Sequence, residues 1–119
     1  MKKKLLVTGS AIQDGQLILT TEEPVGGLEP KGQMLVDSDN LSFVYLMEKE
    51  EEYTYVLLPD FVWADLKKGL DESLPVYLVA DGGKVELTGF HGELEYLAEN
   101  IKGNGNYGET MVSKVESIF

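Results

Sequence analysis

The sequence contains no cysteine and no arginine, and it has a single histidine. The absence of cysteine excludes a disulfide framework, thiolate metal sites and a cysteine nucleophile. All 10 basic residues are lysines, so no side chain offers the planar guanidinium fork with which many proteins hold phosphate. These absences remove several common kinds of catalytic and phosphate-binding site.

Positive charge is also scarce. The 10 lysines stand against 21 acidic residues, which gives a formal net charge of −11. Proteins that bind nucleic acid need a basic patch, and the sequence has none, so we expect no nucleic-acid partner. The acids are spread along the chain rather than gathered in a tail. They either keep the protein soluble or form an acidic face for a basic partner.

Long apolar runs are missing too. No stretch approaches the roughly 18 apolar residues of a membrane span, so we expect no membrane partner. The chain begins with Met1 and three lysines, and the apolar run that follows covers only residues 5–7. A secretory signal needs an apolar run of about 7–15 residues. We therefore predict a strand at this end of the chain and a cytoplasmic protein.

The chain of 119 residues and 13.2 kDa has the size of one domain, and we predict a single domain over residues 1–119. Alternating apolar residues predict β-hairpins, and apolar residues at helical spacing predict three helices. The predicted hairpins join 5–13 to 16–21, through Asp14-Gly15, and 41–47 to 53–58; the predicted helices cover 60–69, 89–102 and 107–118. The fold class is α+β: an antiparallel sheet built from hairpins, one helix between strands, and a C-terminal αα-hairpin packed on the sheet.

Residues 103–108 match the glycine pattern G-x-G-x-x-G of dinucleotide-binding proteins. That pattern needs a strand before it, whereas here a helix is predicted on each side. The glycines and asparagines are better explained as helix caps, with Asn106 and Glu109 forming a capping box. We therefore expect no cofactor. An anion bound to the first amides of the last helix is the alternative.

Residues 37–40 resemble the start of a calcium loop, but Leu41 and Ser42 stand where such a loop needs an oxygen ligand and a glycine. A plain turn is the prediction, and a weak divalent-metal site is the alternative. His91 is the lone histidine and cannot form a multi-histidine metal site. We expect it to be a half-buried polar residue, and we predict no metal site and no catalytic residue.

Aromatic residues are concentrated in the second predicted hairpin. Phe43 and Tyr45 alternate with the apolar Val44 and Leu46, so both faces of this strand are apolar. Tyr53 and Tyr55 lie on the next strand. Antiparallel sheets usually leave one face polar, so the extra apolar face predicts an interaction surface that includes Phe43, Tyr45, Tyr53 and Tyr55. The alternative is that these rings fill the protein's own core.

Several segments resemble uncharacterised protein family 0738, a family of small proteins from Bacillus-type Gram-positive bacteria. The segments that carry the resemblance are 36–43, 96–97, 99–101, 103–104 and 106–109. The resemblance covers the whole chain and implies a cytoplasmic bacterial protein of similar length. It implies no activity, ligand or catalytic residue.

Two classes of function remain after this reading. The first is a non-enzymatic interaction or regulatory module that forms a homodimer or binds another protein. The alternative is an enzyme that uses a small molecule or a divalent metal, with carboxylates near the two Asn/Asp-rich turns at 37–40 and 103–108. The absence of cysteine and arginine, together with the single histidine, favours the first class.

Overall fold

The computed structural model describes residues 3–119; Met1 and Lys2, which belong to the predicted lysine-rich start, lie outside the described residues. Seven strands form one sheet in the spatial order β3-β4-β5-β1-β2-β6-β7. The strands are β1 (Lys3–Gln13), β2 (Gln16–Thr21), β3 (Glu29–Asp37), β4 (Ser42–Lys49), β5 (Glu52–Pro59), β6 (Val76–Ala80) and β7 (Gly83–Glu86). The helices are α1 (Trp63–Asp71), α2 (Phe90–Ile101) and α3 (Glu109–Ile118).

The fold is α+β, but the sheet is mixed, so the predicted purely antiparallel sheet is wrong. Strand β1 pairs in parallel with β5, and β2 pairs in parallel with β6. Both parallel pairs join segments that lie far apart in the chain. The first two strands therefore form the middle of the sheet rather than a separate hairpin at its edge.

Strand β1 belongs to two halves of the sheet. Its residues 3–6 pair with β5, and residues 7–13 pair with β2. The register shifts between Val7 and Gly9, and a shift of this kind bends a strand and increases its twist. We call β3, β4, β5 and the start of β1 the four-strand half. The rest of β1, with β2, β6 and β7, forms the second half, and together they make a curled sheet.

The core lies between one face of this sheet and the helices. Phe43 on β4 packs against Trp63 of α1 and against Phe119, with ring centroids 5.0 and 5.7 Å apart. Helix α2 adds a stripe of buried side chains, namely Phe90, Leu94, Ala98 and Ile101. We call this covered side of the sheet the inner face. No helix within residues 3–119 is long and apolar enough to cross a bilayer.

Gly69 was predicted to end the first helix, but α1 continues to Asp71. Gly69 is buried and faces β2, where a Cβ atom would lie 2.9 Å from Cδ2 of Leu17. Its lack of a side chain therefore lets the helix approach the sheet. A residue with positive φ follows the helix instead at Ser73, where φ is 54°.

The C-terminal segment also differs from the predicted capping box. A 3-10 turn covers Gly105–Tyr107, and the side chain of Asn104 accepts a hydrogen bond from the amide of Asn106 at 3.1 Å. Helix α3 begins only at Glu109, and Gly108 precedes it with a φ of 90° and no side-chain cap. The role predicted for Asn106 is therefore wrong, because the 3-10 turn places it before the helix starts.

Candidate functional site

The structure separates the four aromatic residues predicted to share one surface. Phe43 and Tyr45 are fully buried on the inner face, whereas Tyr53 is exposed and Tyr55 is partly exposed on the opposite face. The turn between β4 and β5 decides this arrangement. Glu50 and Glu51 both have positive φ, 51° and 68°, and form a two-residue turn. Phe43 and Tyr45 therefore do not contribute to an exposed surface.

The contacts of Tyr45 give it a structural role. Its hydroxyl donates a hydrogen bond to the carbonyl oxygen of Thr88 at 2.5 Å, and its ring stacks on Phe90 with centroids 5.9 Å apart. Burial raises the pKa of this hydroxyl above its usual value, so it remains a donor at neutral pH. Tyr45 thus ties β4 to the segment that leads into α2.

The opposite face of the four-strand half carries a continuous apolar row. Leu35 of β3 is paired with Val44 of β4. Val44 is paired in turn with Leu57 of β5, and Leu57 is paired with Leu6 of β1. Directly paired residues point to the same side of a sheet, so these four side chains form one row across four strands. Four further side chains extend this face, and we call the whole set the open face: Leu6, Leu35, Val44, Leu46, Leu57, Tyr53, Tyr55 and Lys4.

The open face is turned away from the helices. Leu6, Leu35 and Tyr53 are 50, 46 and 48% exposed, although they are large apolar or aromatic residues. The central strand is different, since Val44 and Leu46 are buried. The result is a filled apolar centre with exposed leucines at both sides. Such contiguous patches on monomers are often functional.

Charged residues stand at two corners of the open face. Lys4 lies on β1 beside Tyr55, and it makes no ion pair with any residue in the described part of the chain. At the other corner Glu29 of β3 lies directly opposite Glu48 of β4. Lys31 reaches Glu48 at 3.8 Å. This second corner therefore carries two acids and one lysine, and is negative.

The outward side of the second half of the sheet is also partly apolar, but its own polar side chains cover it. The amino group of Lys84 lies 4.3 Å from the centre of the Tyr77 ring and donates a hydrogen bond to Gln16 at 3.1 Å. Tyr77 and its neighbour Ile18 are partly buried. A long lysine chain packed over a ring shields apolar surface while its charge stays in water.

The two Asn/Asp-rich turns use their polar groups locally. Both carboxylate oxygens of Asp37 accept hydrogen bonds from Asn40, one from the backbone amide at 3.3 Å and one from the side chain at 2.8 Å. Asn104 caps the 3-10 turn, as described above. Within residues 3–119 no group of three or more potential ligands could hold a metal ion. The enzymatic alternative remains a prediction.

His91 is partly buried in the first turn of α2. Its Nε2 lies 2.6 Å from the carbonyl oxygen of Leu74, so this nitrogen carries the proton and donates. Its Nδ1 is buried and has no hydrogen-bond partner among the described residues. This placement ties the start of α2 to the segment before β6, and it brings no nucleophile to the ring.

A cleft of about 330 Å³ lies between α1, α2 and Phe119. Five charged side chains line this cleft, and four of them form two ion pairs; the fifth is Glu95. Lys67 contacts Asp71 at 2.9 Å, and Lys102 contacts Glu99 at 3.4 Å and donates to the carbonyl oxygen of Phe119 at 2.8 Å. Each ion pair lies along a single helix, and the hydrogen bond of Lys102 ties the end of α2 to Phe119. The open face is therefore the stronger candidate site.

Three important residues of the open face, Leu6, Leu35 and Leu57, were not among the predicted site residues. The sequence does carry a signal for all three. Each of these leucines is the middle residue of an uninterrupted apolar triplet, at residues 5–7, 34–36 and 56–58. A strand with one polar face would alternate, so three apolar residues in a row place an apolar side chain on each face.

The chain is thus an α+β protein whose curled, mixed sheet has an apolar surface. The profile of a family of unknown function, UPF0738, matches residues 5–119, and the chain belongs to this family. A UPF0738 protein of Bacillus licheniformis is 45% identical over all of this chain and 99% of its own length. The UPF0738 protein YjbL of Bacillus subtilis is 43% identical, and one of a Geobacillus strain is 44% identical, with 99 and 98% of their lengths covered.

No solved structure matches the chain. The relatives carry no specific functional assignment, so they define the family without defining its activity.

Proposed function

We propose that the protein is a cytoplasmic, non-enzymatic interaction module, and that the open face is its interaction surface. The observation that carries this proposal is the apolar row from Leu35 to Leu6. It crosses all four strands of one half of the sheet and ends in leucines that are about half exposed. Contact between water and such an apolar row is unfavourable, so burying the row against another protein surface lowers the free energy of the system.

The shape of the open face supports docking rather than catalysis. Its centre is filled by Val44 and Leu46, so it presents a surface rather than a concave pocket. Small-molecule sites are usually concave with converging polar groups, whereas protein interfaces have an apolar centre and a polar rim. The charged corners at Lys4 and at Glu29 provide such a rim.

The test is site-specific photocross-linking in the native type of host. A photoreactive phenylalanine analogue replaces Leu35 or Tyr53 on the open face, and in a control it replaces Tyr96, which is 65% exposed on α2. We expect covalent adducts from positions 35 and 53 and none from position 96. Adducts from position 96 alone, or no adduct from any position, would show that the open face is not an interaction surface.

A further inference from the structure

We infer that the occupant of the open face is a second copy of this chain, packed face to face around a two-fold axis that runs along the strands. This inference rests on the proposed function, because it names the partner for the same surface. Three observations support it: the pattern of the apolar row, the charges at its corners, and its size.

The apolar row is compatible with its own rotated image. A two-fold axis parallel to the strands reverses the order of the four strands in the second copy, so that β3 of one copy faces β1 of the other and β4 faces β5. Leu35 then lies against Leu6 of the second copy, and Val44 lies against Leu57. Two sheets packed in this way stand about 10 Å apart, a distance that side chains of this size fill.

The corner charges are complementary under the same rotation. Lys4 of one copy approaches the corner of the other copy where Glu29 and Glu48 lie opposite each other. Like charges on directly opposed residues destabilise a strand pair, and Lys31 contacts only one of these two acids, at 3.8 Å. A lysine from the second copy would relieve this repulsion. The rotation about the axis supplies two such contacts, one at each end of the interface.

The area of the open face suits a reversible dimer. Four strands about 4.8 Å apart and five residues of about 3.3 Å each cover roughly 19 by 16 Å, or about 300 Å² in projection. Protruding side chains have more accessible surface than this projection. Two copies bring together about 600 Å² in projection, which is below the roughly 1,000 Å² over both partners at which stable specific interfaces begin, so the dimer is expected to be weak. We expect a concentration-dependent dimer.

The net charge of the chain gives this dimer a recognisable salt dependence. Each copy carries a formal charge of −11, so two copies repel each other over distances longer than the local contacts. Salt screens this repulsion, with a screening length of about 8 Å at physiological ionic strength. Added salt should therefore strengthen the dimer. It would weaken a complex with a basic partner protein.

The experiment is sedimentation equilibrium of the full chain over a concentration series from about 1 to 500 µM, a span that covers weak dimers. Leu35→Lys and Leu6→Lys should each raise the dissociation constant at least about tenfold, because each places a charge at an end of the apolar row, where it meets the leucine of the second copy. The matched control, Tyr96→Lys, introduces the same charge at an exposed aromatic residue on α2 and should leave the constant unchanged. Circular dichroism confirms that each variant is folded.

A charge exchange tests the orientation of the two copies. Lys4→Glu and Glu29→Lys should each weaken the dimer, and the double variant should recover most of the affinity, because the opposite charges then meet again. If the losses of dimer affinity in the two single variants simply add in the double variant, the inference that the two-fold axis runs along the strands is wrong.

The outcomes separate the two proposals. The chain could stay monomeric at every concentration while photoadducts with a different protein form at position 35. This result would contradict the inference that the occupant is a second copy, and it would support the open face as an interaction surface. A dimer that is insensitive to Leu35→Lys and Leu6→Lys would overturn the inference as well, because the copies would then meet elsewhere. A monomer with no photoadducts would overturn both proposals.

Discussion

Strand β4 has apolar side chains on both of its faces, but the two faces have different surroundings. On the inner face Phe43 contacts the rings of Trp63 and Phe119, and Tyr45 contacts Phe90 and Thr88. On the open face Val44 and Leu46 pair with residues of the neighbouring strands, and Leu35 at the sheet edge is half exposed. The hydrophobicity of a strand therefore does not reveal which of its faces the protein covers itself.

The two faces should differ most in the free energy of unfolding that is lost when a side chain is truncated to alanine. Phe43→Ala should lower the free energy of unfolding by about 3–5 kcal/mol, because it leaves a cavity among packed rings. Leu35→Ala should lower it by about 1 kcal/mol or less, because this side chain is half exposed. Urea denaturation at a concentration where the protein is monomeric measures both. Equal losses would contradict the contrast between the faces.

A second test uses two helical glycines that differ in their surroundings. Gly69→Ala should destabilise the protein by about 1 kcal/mol, since the added methyl group meets Leu17 and the overpacking outweighs the better helix propensity of alanine. Gly92→Ala in α2 has no atom within 4 Å of the new Cβ and should stabilise the protein by up to about 1 kcal/mol. Thermal denaturation gives both changes. A stabilising Gly69→Ala would mean that α1 can move away from the inner face without loss.

The buried hydroxyl on the inner face should appear in the alkaline pH dependence. Tyr45→Phe removes the hydrogen bond to Thr88 and should lower stability by about 1 kcal/mol at neutral pH. Burial raises the pKa of Tyr45 in the folded state, so the unfolded chain loses this proton first. Stability of the wild type should therefore fall more steeply above about pH 10 than that of Tyr45→Phe. Parallel curves for the two proteins, measured by denaturation at several pH values, would show that the hydroxyl is not protected.

The smallest expected effect concerns the covered outer side of the second half of the sheet. Lys84→Ala should lower stability by about 0.5 kcal/mol, because it removes the ammonium group from the Tyr77 ring. It should also expose more of Tyr77, which fluorescence quenching by iodide can detect with Trp63 replaced by Phe. Lys68→Ala on the exposed side of α1 is the control and should change neither quantity. An unchanged quenching profile for Lys84→Ala would argue that the lysine does not shield this ring.

Local signals in the sequence predicted much of the secondary structure. Helix α2 lies at Phe90–Ile101, close to the predicted range 89–102, because its apolar stripe has a clear helical period. A turn at Asp14 and Gly15 separates β1 from β2, and both residues have positive φ. Such features depend on residues close together in the chain, which is why a sequence pattern can indicate them.

The mixed sheet could not be predicted in the same way. Residues 3–6 of β1 pair with 54–57, and residues 17–20 of β2 pair with 76–79. Nothing within either segment specifies a partner 51 or 59 residues further along the chain. The continuous apolar run at 76–80 indicates a strand inside a sheet, but it does not indicate which strand lies beside it.

The candidate surface was predicted in part, and its error has a simple physical origin. The predicted hairpin joined 41–47 to 53–58 and so left residues 48–52 as its connector, whereas β4 runs to Lys49 and β5 begins at Glu52. A shift of one residue moves every side chain of a strand to the other face. The turn at Glu50 and Glu51 has positive φ at two glutamates, and glutamate seldom adopts this conformation, so the sequence gives no warning of a tight turn there.

The two parallel strand pairs also determine the order in which this protein can fold during synthesis. Strands β1 and β2 leave the ribosome first, but each needs a later strand on its free edge, β5 for one and β6 for the other. The edge of β1 remains open to other chains until about residue 59 has emerged, and the edge of β2 until about residue 80 has emerged. Contacts so distant in sequence slow folding, typically to milliseconds or longer, and extend the period in which the nascent hairpin can aggregate. The middle of the finished sheet is thus its most vulnerable part while the chain is being made.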